Sequence, residues 1–184
     1  MKRLALIGLA VLLAACQTTQ VERDFDPSRD FSSYRQWSWR EPAVRYQPDD
    51  PRLKSDLTEQ RIRDAVSQQL DQRGLRPAPT GSEGDLEVQT WMIVDDREQQ
   101  VTTHYNSMIG PWYGYWGGPG IVESRTLDYQ VGTLQIDLYD SRDGKLVWRG
   151  STSRILPADR PGPRGRAEAI NETVAEVLSQ YPPK

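Results

Sequence analysis

The sequence is poor in the residues on which many enzymes and nucleic-acid-binding proteins depend. It contains one cysteine and one histidine, and its 26 acidic side chains outnumber the 23 basic ones. A single cysteine excludes an internal disulfide. The charge balance provides no basic patch for phosphates, so we expect no nucleic-acid partner. Nucleophile-elbow, paired-cysteine, zinc-protease and phosphate-loop motifs are all missing, so we expect no metal or cofactor.

Long apolar runs are scarce too, and the longest of them marks the start of the chain. Residues 4–15 form an apolar stretch behind a short cationic start, too short for a membrane span of about 20 residues. This arrangement is typical of a secretory signal. Its end, Leu13-Ala14-Ala15-Cys16, resembles the lipobox of bacterial lipoproteins, in which the cysteine thiol is acylated and the chain is cut before it. We therefore predict cleavage between Ala15 and Cys16 and a lipid on Cys16.

The lipobox also bears on location and on the extent of the mature domain. An ordinary signal peptide followed by a buried cysteine is the alternative to acylation. Gln17 stands where aspartate would resemble an inner-membrane retention signal, so we expect the outer membrane facing the periplasm, with the inner membrane as the alternative. We divide the chain into a signal peptide (1–15), a lipidated tether (16–20) and a single domain (21–184).

The spacing of apolar residues along the chain predicts five strands and two helices in that domain. The predicted strands are Val21–Asp26, Phe31–Trp39, Leu86–Val94, Leu134–Leu138 and Leu146–Trp148. Ser55 or Asp56 caps a first helix that ends at Gly74, and a second helix ends before Pro182. Residues 41–52 form a loop, and Asp140 to Gly144 form a hairpin turn. The predicted fold is α+β: a two-layer sandwich of a mostly antiparallel sheet of about five strands packed by two helices.

Several separated blocks of the sequence resemble a family of bacterial lipoproteins known only as domain of unknown function 4136. The blocks are Asp24-Phe25-Asp26-Pro27-Ser28, Asp30-Phe31-Ser32-Ser33-Tyr34, Trp37-Ser38-Trp39, Asp85-Leu86-Glu87-Val88, Gly132-Thr133-Leu134, Asp137-Leu138-Tyr139-Asp140, Leu146-Val147-Trp148-Arg149-Gly150 and Tyr181-Pro182-Pro183. The likeness covers roughly residues 21–183. The family has no assigned activity, so the resemblance implies no catalytic or binding residue.

The acidic residues are the remaining candidates for chemistry, because a glycosidase needs only two carboxylates. Asp95 and Asp96 lie together at the end of a predicted strand, and Asp137 and Asp140 flank a turn, so the members of each pair are expected on opposite faces. His104 is more typical of a surface or packing residue than of a catalyst. We expect no catalytic residues. A rival hypothesis, an envelope hydrolase or glycan-processing enzyme, requires a cleft lined by two close carboxylates.

One segment between the third and fourth predicted strands is unlike ordinary linker. The aromatic segment (His104 to Gly120) contains two Trp, three Tyr and five Gly but no Lys, Arg, Asp or Glu. Three interpretations remain open: it caps the core, it enters the lipid headgroup region, or it binds an envelope protein or peptidoglycan. The candidate contact residues are Trp112, Tyr113, Tyr115 and Trp116. The sequence thus predicts a non-enzymatic, lipid-anchored interaction module of the envelope.

Overall fold

A computed structural model describes residues 21–105, 121–157, 159 and 161–183. This part of the chain contains six strands, a short 3-10 turn and two helices. The strands are β1 (Val21–Phe25), β2 (Gln36–Gln47), β3 (Arg76–Pro77), β4 (Leu86–Tyr105), β5 (Ile121–Asp140) and β6 (Leu146–Ile155). The helices are α1 (Asp56–Gln72) and α2 (Pro163–Leu178). In the described ranges, neither helix combines the length and apolar character needed to cross a bilayer.

The six strands form one mixed sheet in the order β1-β6-β5-β4-β2-β3. The pairs β1–β6, β6–β5 and β5–β4 are antiparallel, whereas β4–β2 and β2–β3 are parallel. The α+β class and the two helices agree with prediction, and the expected mostly antiparallel sheet of about five strands is roughly compatible with this mixed sheet of six strands. The helix α1 between β2 and β4 carries the chain back along the sheet. As a result β4 runs in the same direction as β2.

The first helix begins and ends where the sequence predicts, whereas α2 begins at Pro163, inside the predicted loop of residues 157–165, and ends at Leu178, before the predicted last residue Tyr181. The Ser55 side chain accepts a hydrogen bond from the Thr58 amide at the start of α1. Gly74 follows the end of this helix with a φ of 86°, a left-handed conformation that glycine adopts without strain. Pro163 occupies the first turn of α2, where its missing amide hydrogen costs nothing.

The apolar sides of both helices pack on one face of the sheet, which we call the helix face. The core there is built from one side of each helix and from strand residues that alternate except at the β6 register shift, where Val147 and Trp148 are consecutive; Trp148 is its largest fully buried side chain. Its other fully buried members are Ile62, Leu70, Leu86, Ile136, Leu138, Leu178, Val66, Val88, Val147, Val174 and Val177. Because the strand residues recur with a period of two, the intervening residues lie on the opposite face, which we call the open face.

The limits of β2 differ from prediction at both ends. Phe31–Ser33 forms a 3-10 turn instead of the start of a strand, with Asp30 accepting a hydrogen bond from the Ser32 amide. At the other end, β2 continues to Gln47 through part of the predicted loop of residues 41–52. The strand tolerates Pro42 because its register with β4 shifts at this point and β3 no longer lies alongside.

Candidate functional site

A two-stranded ribbon extends beyond the rest of the sheet. The last pair between β2 and β4 is Gln47↔Ile93, and the last pair between β5 and β6 is Val131↔Ile155. Beyond them, β4 and β5 pair only with each other among the described residues, through ten consecutive pairs from Asp96↔Gln130 to Tyr105↔Ile121. We call these two strand portions the ribbon. At a rise of about 3.4 Å per residue the ribbon is roughly 30 Å long.

The ribbon and the N-terminal end of β1 lie at the same end of the sheet. Val21 is registered opposite Thr152, which in turn is opposite Leu134 of β5. From Leu134 the strand continues toward the ribbon, whereas β1 itself runs the other way toward Phe25. The chain that precedes Val21 therefore enters the domain at the end from which the ribbon projects.

The two faces of the ribbon differ in chemistry. On the side continuous with the helix face lie Asp96, Glu98 and Asp128, and residues 96–102 and 124–130 of that side include no Lys or Arg. The Gln130 side chain donates a hydrogen bond to Asp96 over 2.8 Å. Glu98 and Asp128 are directly opposite each other, a like-charge arrangement that destabilises an isolated strand pair. Over residues 96–102 and 124–130 this face is acidic and polar.

The other side of the ribbon continues the open face and carries apolar residues together with Arg97, Arg125 and Glu123. Val101 and Leu127 are 37% and 45% exposed there, on diagonally adjacent positions of the two strands. Tyr129 lies opposite Arg97, and Arg125 lies opposite Val101. Since large apolar side chains are rarely left in water next to one another without a reason, this face of the ribbon is a candidate contact surface.

Most residues predicted from the sequence as functional lie outside the described ranges. These are Ala15 and Cys16 of the lipobox, and Trp112, Tyr113, Tyr115 and Trp116 of the aromatic segment. The structure does place the two ends of that segment. His104 and Tyr105 belong to β4 rather than to a loop, so the strand extends two residues into the predicted segment, and Tyr105 is paired with Ile121. The segment therefore leaves and re-enters the sheet at the far end of the ribbon.

Asp137 on the open face is buried in a hydrogen-bonded network. Its side chain is 0% exposed, and its two oxygens accept hydrogen bonds from Arg149 over 2.7 and 2.8 Å. Gln135 donates to both oxygens over 3.1 Å, and the Tyr139 hydroxyl donates to one over 3.3 Å. Burial, and then the charge of Asp137, raise the pKa of Tyr139. The guanidinium of Arg40 covers the Tyr139 ring at 4.3 Å.

Asp140 lies at the edge of the core on the helix face. Its carboxylate accepts hydrogen bonds from Arg142 over 2.6 and 2.9 Å, from Arg29 over 3.0 Å and from the Tyr34 hydroxyl over 2.9 Å. The hydrogen bond from Arg142 is the main reason why the pKa of Asp140 is lowered. As expected, Asp137 and Asp140 occupy opposite faces. Each carboxylate is held by arginine, Asp137 by Arg149 and Asp140 by Arg142 and Arg29.

A groove of about 490 Å³ lies between the end of β2 and the first turn of α1. Three carboxylates line it, those of Asp49, Asp56 and Glu59. Asp49 is paired with Lys54, and Glu59 accepts a hydrogen bond from Arg63 over 3.0 Å. Asp56 lies in the first turn of α1, where the helix dipole favours an anion. Sequence analysis missed this groove because its residues come from a strand and a helix whose contact no local pattern reveals.

Comparison with known proteins decides the family. The family profile described as domain of unknown function (DUF4136) matches residues 21–183. The chain belongs to this family. The matched range begins at the first residue of β1 and includes the whole described fold, with the ribbon inside it.

Two solved structures resemble this DUF4136 domain at low sequence identity. A PDZ domain protein from Parabacteroides distasonis aligns with a TM-score of 0.54 and 15% identity over 97% of this chain, which spans 40% of that protein. A DUF4136 family protein from Bacteroides thetaiotaomicron aligns with a TM-score of 0.49 and 19% identity, over 89% of this chain and 95% of that one. No curated protein matches the chain. The likeness concerns the fold.

Proposed function

We propose that this DUF4136 domain is a non-enzymatic interaction module of the bacterial cell envelope, anchored through acylated Cys16 to the outer membrane and facing the periplasm. The observation that carries the proposal is that the ribbon projects from the end of the sheet at which the anchored chain enters. The anchor and the ribbon are therefore directed toward the same surface.

The tether between Cys16 and Val21 is shorter than the part of β5 that extends toward the membrane, and this limits how the domain can be oriented. Five residue steps separate Cys16 from Val21, which is at most about 18 Å of extended chain. From Leu134, level with the start of β1, thirteen residue steps lead along β5 to Ile121, or about 40 Å of strand. The anchor cannot hold the domain far enough from the bilayer for the ribbon to stand clear of it. We infer that the ribbon lies along the membrane surface.

The two faces of the ribbon indicate which side meets the lipid. The acidic side with Asp96, Glu98 and Asp128 is repelled by anionic lipid, whereas Val101 and Leu127 bury apolar area on contact. The ribbon would then bring the aromatic segment to the headgroup region, where Trp and Tyr side chains are favoured. Of the three interpretations of that segment, this geometry favours the second.

Mass spectrometry of the native protein tests the anchor. We expect an N-terminal Cys16 carrying fatty acyl groups, with residues 1–15 removed. An unmodified thiol, or a leader that is still attached, would refute the anchor and the geometric constraint that depends on it.

Vesicle binding of a Cys16→Ser protein tests the aromatic contact without the lipid. We expect Trp112→Ala together with Trp116→Ala to weaken co-sedimentation with anionic vesicles and to leave the melting temperature unchanged. Trp39→Ala is the control for binding, because Trp39 lies on β2 and packs against the core on the helix face, away from the surface that meets the lipid. Unchanged binding rejects membrane contact by the aromatic segment, and a large fall in melting temperature favours the core-capping interpretation. Retention by purified peptidoglycan in place of vesicles would assign the third interpretation.

The second candidate function is the envelope hydrolase, and the observation that favours it is the groove lined by Asp49, Asp56 and Glu59. The argument against it is that Asp49 and Glu59 are already engaged by Lys54 and Arg63, whereas glycoside hydrolysis needs two carboxyl groups that face the substrate. Incubation of the purified protein with peptidoglycan fragments separates the two functions. We expect no products. Turnover that is abolished by Glu59→Gln would establish the hydrolase instead.

A further inference from the structure

The outer edge of β5 in the ribbon is uncovered in the described part of the chain. The last β6 residue registered with β5 is Ile155, opposite Val131, and one further bond runs from the Leu156 amide to the Gln130 carbonyl over 2.8 Å. A two-stranded ribbon is only marginally stable alone in water, and an uncovered strand edge pairs readily with another strand. We therefore expect another strand to pair with the outer edge of β5.

The ladder determines which backbone groups point away from the ribbon. Because the Gln130 carbonyl is turned toward β6, the same orientation recurs at every second residue, at Asp128, Thr126, Ser124 and Val122. The register of β4 with β5 is continuous through these positions. No backbone group of the described residues pairs with the outward amide and carbonyl groups of Val122, Ser124 and Thr126, so they can bond a strand that approaches the outer edge of β5.

The sequence of this edge is complementary to itself. Residues 121–127 read Ile-Val-Glu-Ser-Arg-Thr-Leu, so reversal about Ser124 places an apolar residue opposite an apolar one and Glu123 opposite Arg125. We infer that two copies of the chain pair their β5 edges antiparallel about a two-fold axis at Ser124. This register forms about six backbone hydrogen bonds. It also places Glu123 of each copy against Arg125 of the other, forming two identical ion pairs.

The outer edge of β4 lacks this property. Its charged residues are Asp95, Asp96, Arg97 and Glu98, and paired strands place residues of the same face opposite each other. The register that sets Arg97 against Asp95 of a second copy also sets Asp96 against Asp96. Charge thus favours self-pairing through β5 and disfavours it through β4.

Exposed apolar side chains concentrate at the same place. Ile155 is 67% exposed and Leu156 is 39% exposed at the root of the ribbon, and Leu127 and Val101 are exposed on the ribbon itself. In the inferred dimer Leu127 lies opposite Ile121 of the second copy. The two-fold axis is perpendicular to the sheet, so both chains can enter the same bilayer when the ribbons lie flat on it. The pairing itself follows from the β5 edge and does not depend on the lipid anchor.

Crosslinking of the full mature protein in detergent tests the register. In a hydrogen-bonded antiparallel pair the facing Cα atoms are about 5.5 Å apart, within the range that a disulfide spans. We expect Ser124→Cys to give a disulfide-linked dimer under mild oxidation. Thr102→Cys is the control, because Thr102 lies opposite Ser124 but on β4, whose outer edge stays unpaired. A monomer with Ser124→Cys, equal crosslinking of both variants, or crosslinking of Ser124→Cys to a different protein would overturn the inference.

Charge reversal tests the same interface without a new thiol. Glu123→Arg sets arginine against arginine twice, and we expect the apparent association constant from sedimentation equilibrium to fall about tenfold or more. Glu123→Arg combined with Arg125→Glu restores both pairs and should restore the dimer. If the double variant associates no better than the single one, the pairing is wrong. Crosslinking of the unsubstituted chain through Cys16 would show an unacylated thiol, so failure of the anchor is distinguished from failure of the dimer.

Discussion

The Asp137–Arg149 pair offers the sharpest test of how the open face is held together. Asp137 is fully buried, and Arg149 supplies two of the hydrogen bonds to its carboxylate, whereas the Arg149 side chain itself is 42% exposed. Loss of one partner of a fully buried pair costs about 3–5 kcal/mol, because the other charge remains unpaired. Because solvent at Arg149 screens part of the interaction between the two charges, we expect Arg149→Ala to lower the free energy of unfolding by about 2–3 kcal/mol.

Urea unfolding and calorimetry of the purified protein measure this cost. For a domain of this size 2–3 kcal/mol corresponds to a fall in melting temperature of about 5–10 °C. Arg154→Ala is the matched control, since its partner Glu176 is 22% exposed and the pair is near the surface. We expect the control to change the unfolding free energy by about 0–1 kcal/mol.

A second substitution isolates the unpaired charge. Asp137→Asn in the Arg149→Ala background removes the carboxylate charge, so part of the lost stability should return. The reasoning is refuted if Arg149→Ala unfolds like Arg154→Ala, or if the double variant is less stable than Arg149→Ala alone.

Two further substitutions test the helix face. The pKa of Asp140 is lowered in the folded protein, chiefly by Arg142, so its contribution to stability is present above the unfolded pKa of about 3.9 and is lost as the pH falls below it. Asp140→Asn should therefore be less stable at pH 7 and show a smaller loss of unfolding free energy between pH 5 and 2; parallel curves would contradict this. A Cβ at Gly150 would overlap the Trp148 ring, so Gly150→Ala should lower the free energy of unfolding by about 1–3 kcal/mol. Gly162→Ala is the control, because the space around Gly162 is open and the protein should tolerate the change. Equal melting temperatures of the two variants would contradict the packing at Gly150.

The helices, the β1 strand and the hairpin turn after Asp140 could be predicted because their signals are local. Ser55 and Gly74 delimit α1 through a side-chain cap and a left-handed residue. In the same way, Gly144 has a φ of 67° in the turn between β5 and β6. Each of these depends on a few neighbouring residues, so the pattern and the structure agree.

The central parts of β4, β5 and β6 were also predicted, but their full length and the pairing of the strands could not be, because the determinants are not local. The extension of β2 through Pro42 is tolerated only because of the shifted register with β4, and the two residues of β3 are too few to give a periodic pattern. The ribbon was missed because polar residues such as Gln99, Gln100 and Thr102 interrupt the regular alternation of apolar and polar residues on which a strand prediction depends. Its one local signal was the frequency of β-branched residues near Val101 and Val122.

Depth-dependent fluorescence quenching most directly tests the claim that the ribbon lies along the membrane. With Cys16 acylated, Val101→Cys supplies the single reactive thiol for a bimane label, and Thr102→Cys places the same label on the opposite face. In vesicles that contain nitroxide-labelled lipid we predict strong quenching at position 101 and little at position 102. Equal quenching at both positions, or none at either, would contradict a ribbon that lies on the bilayer.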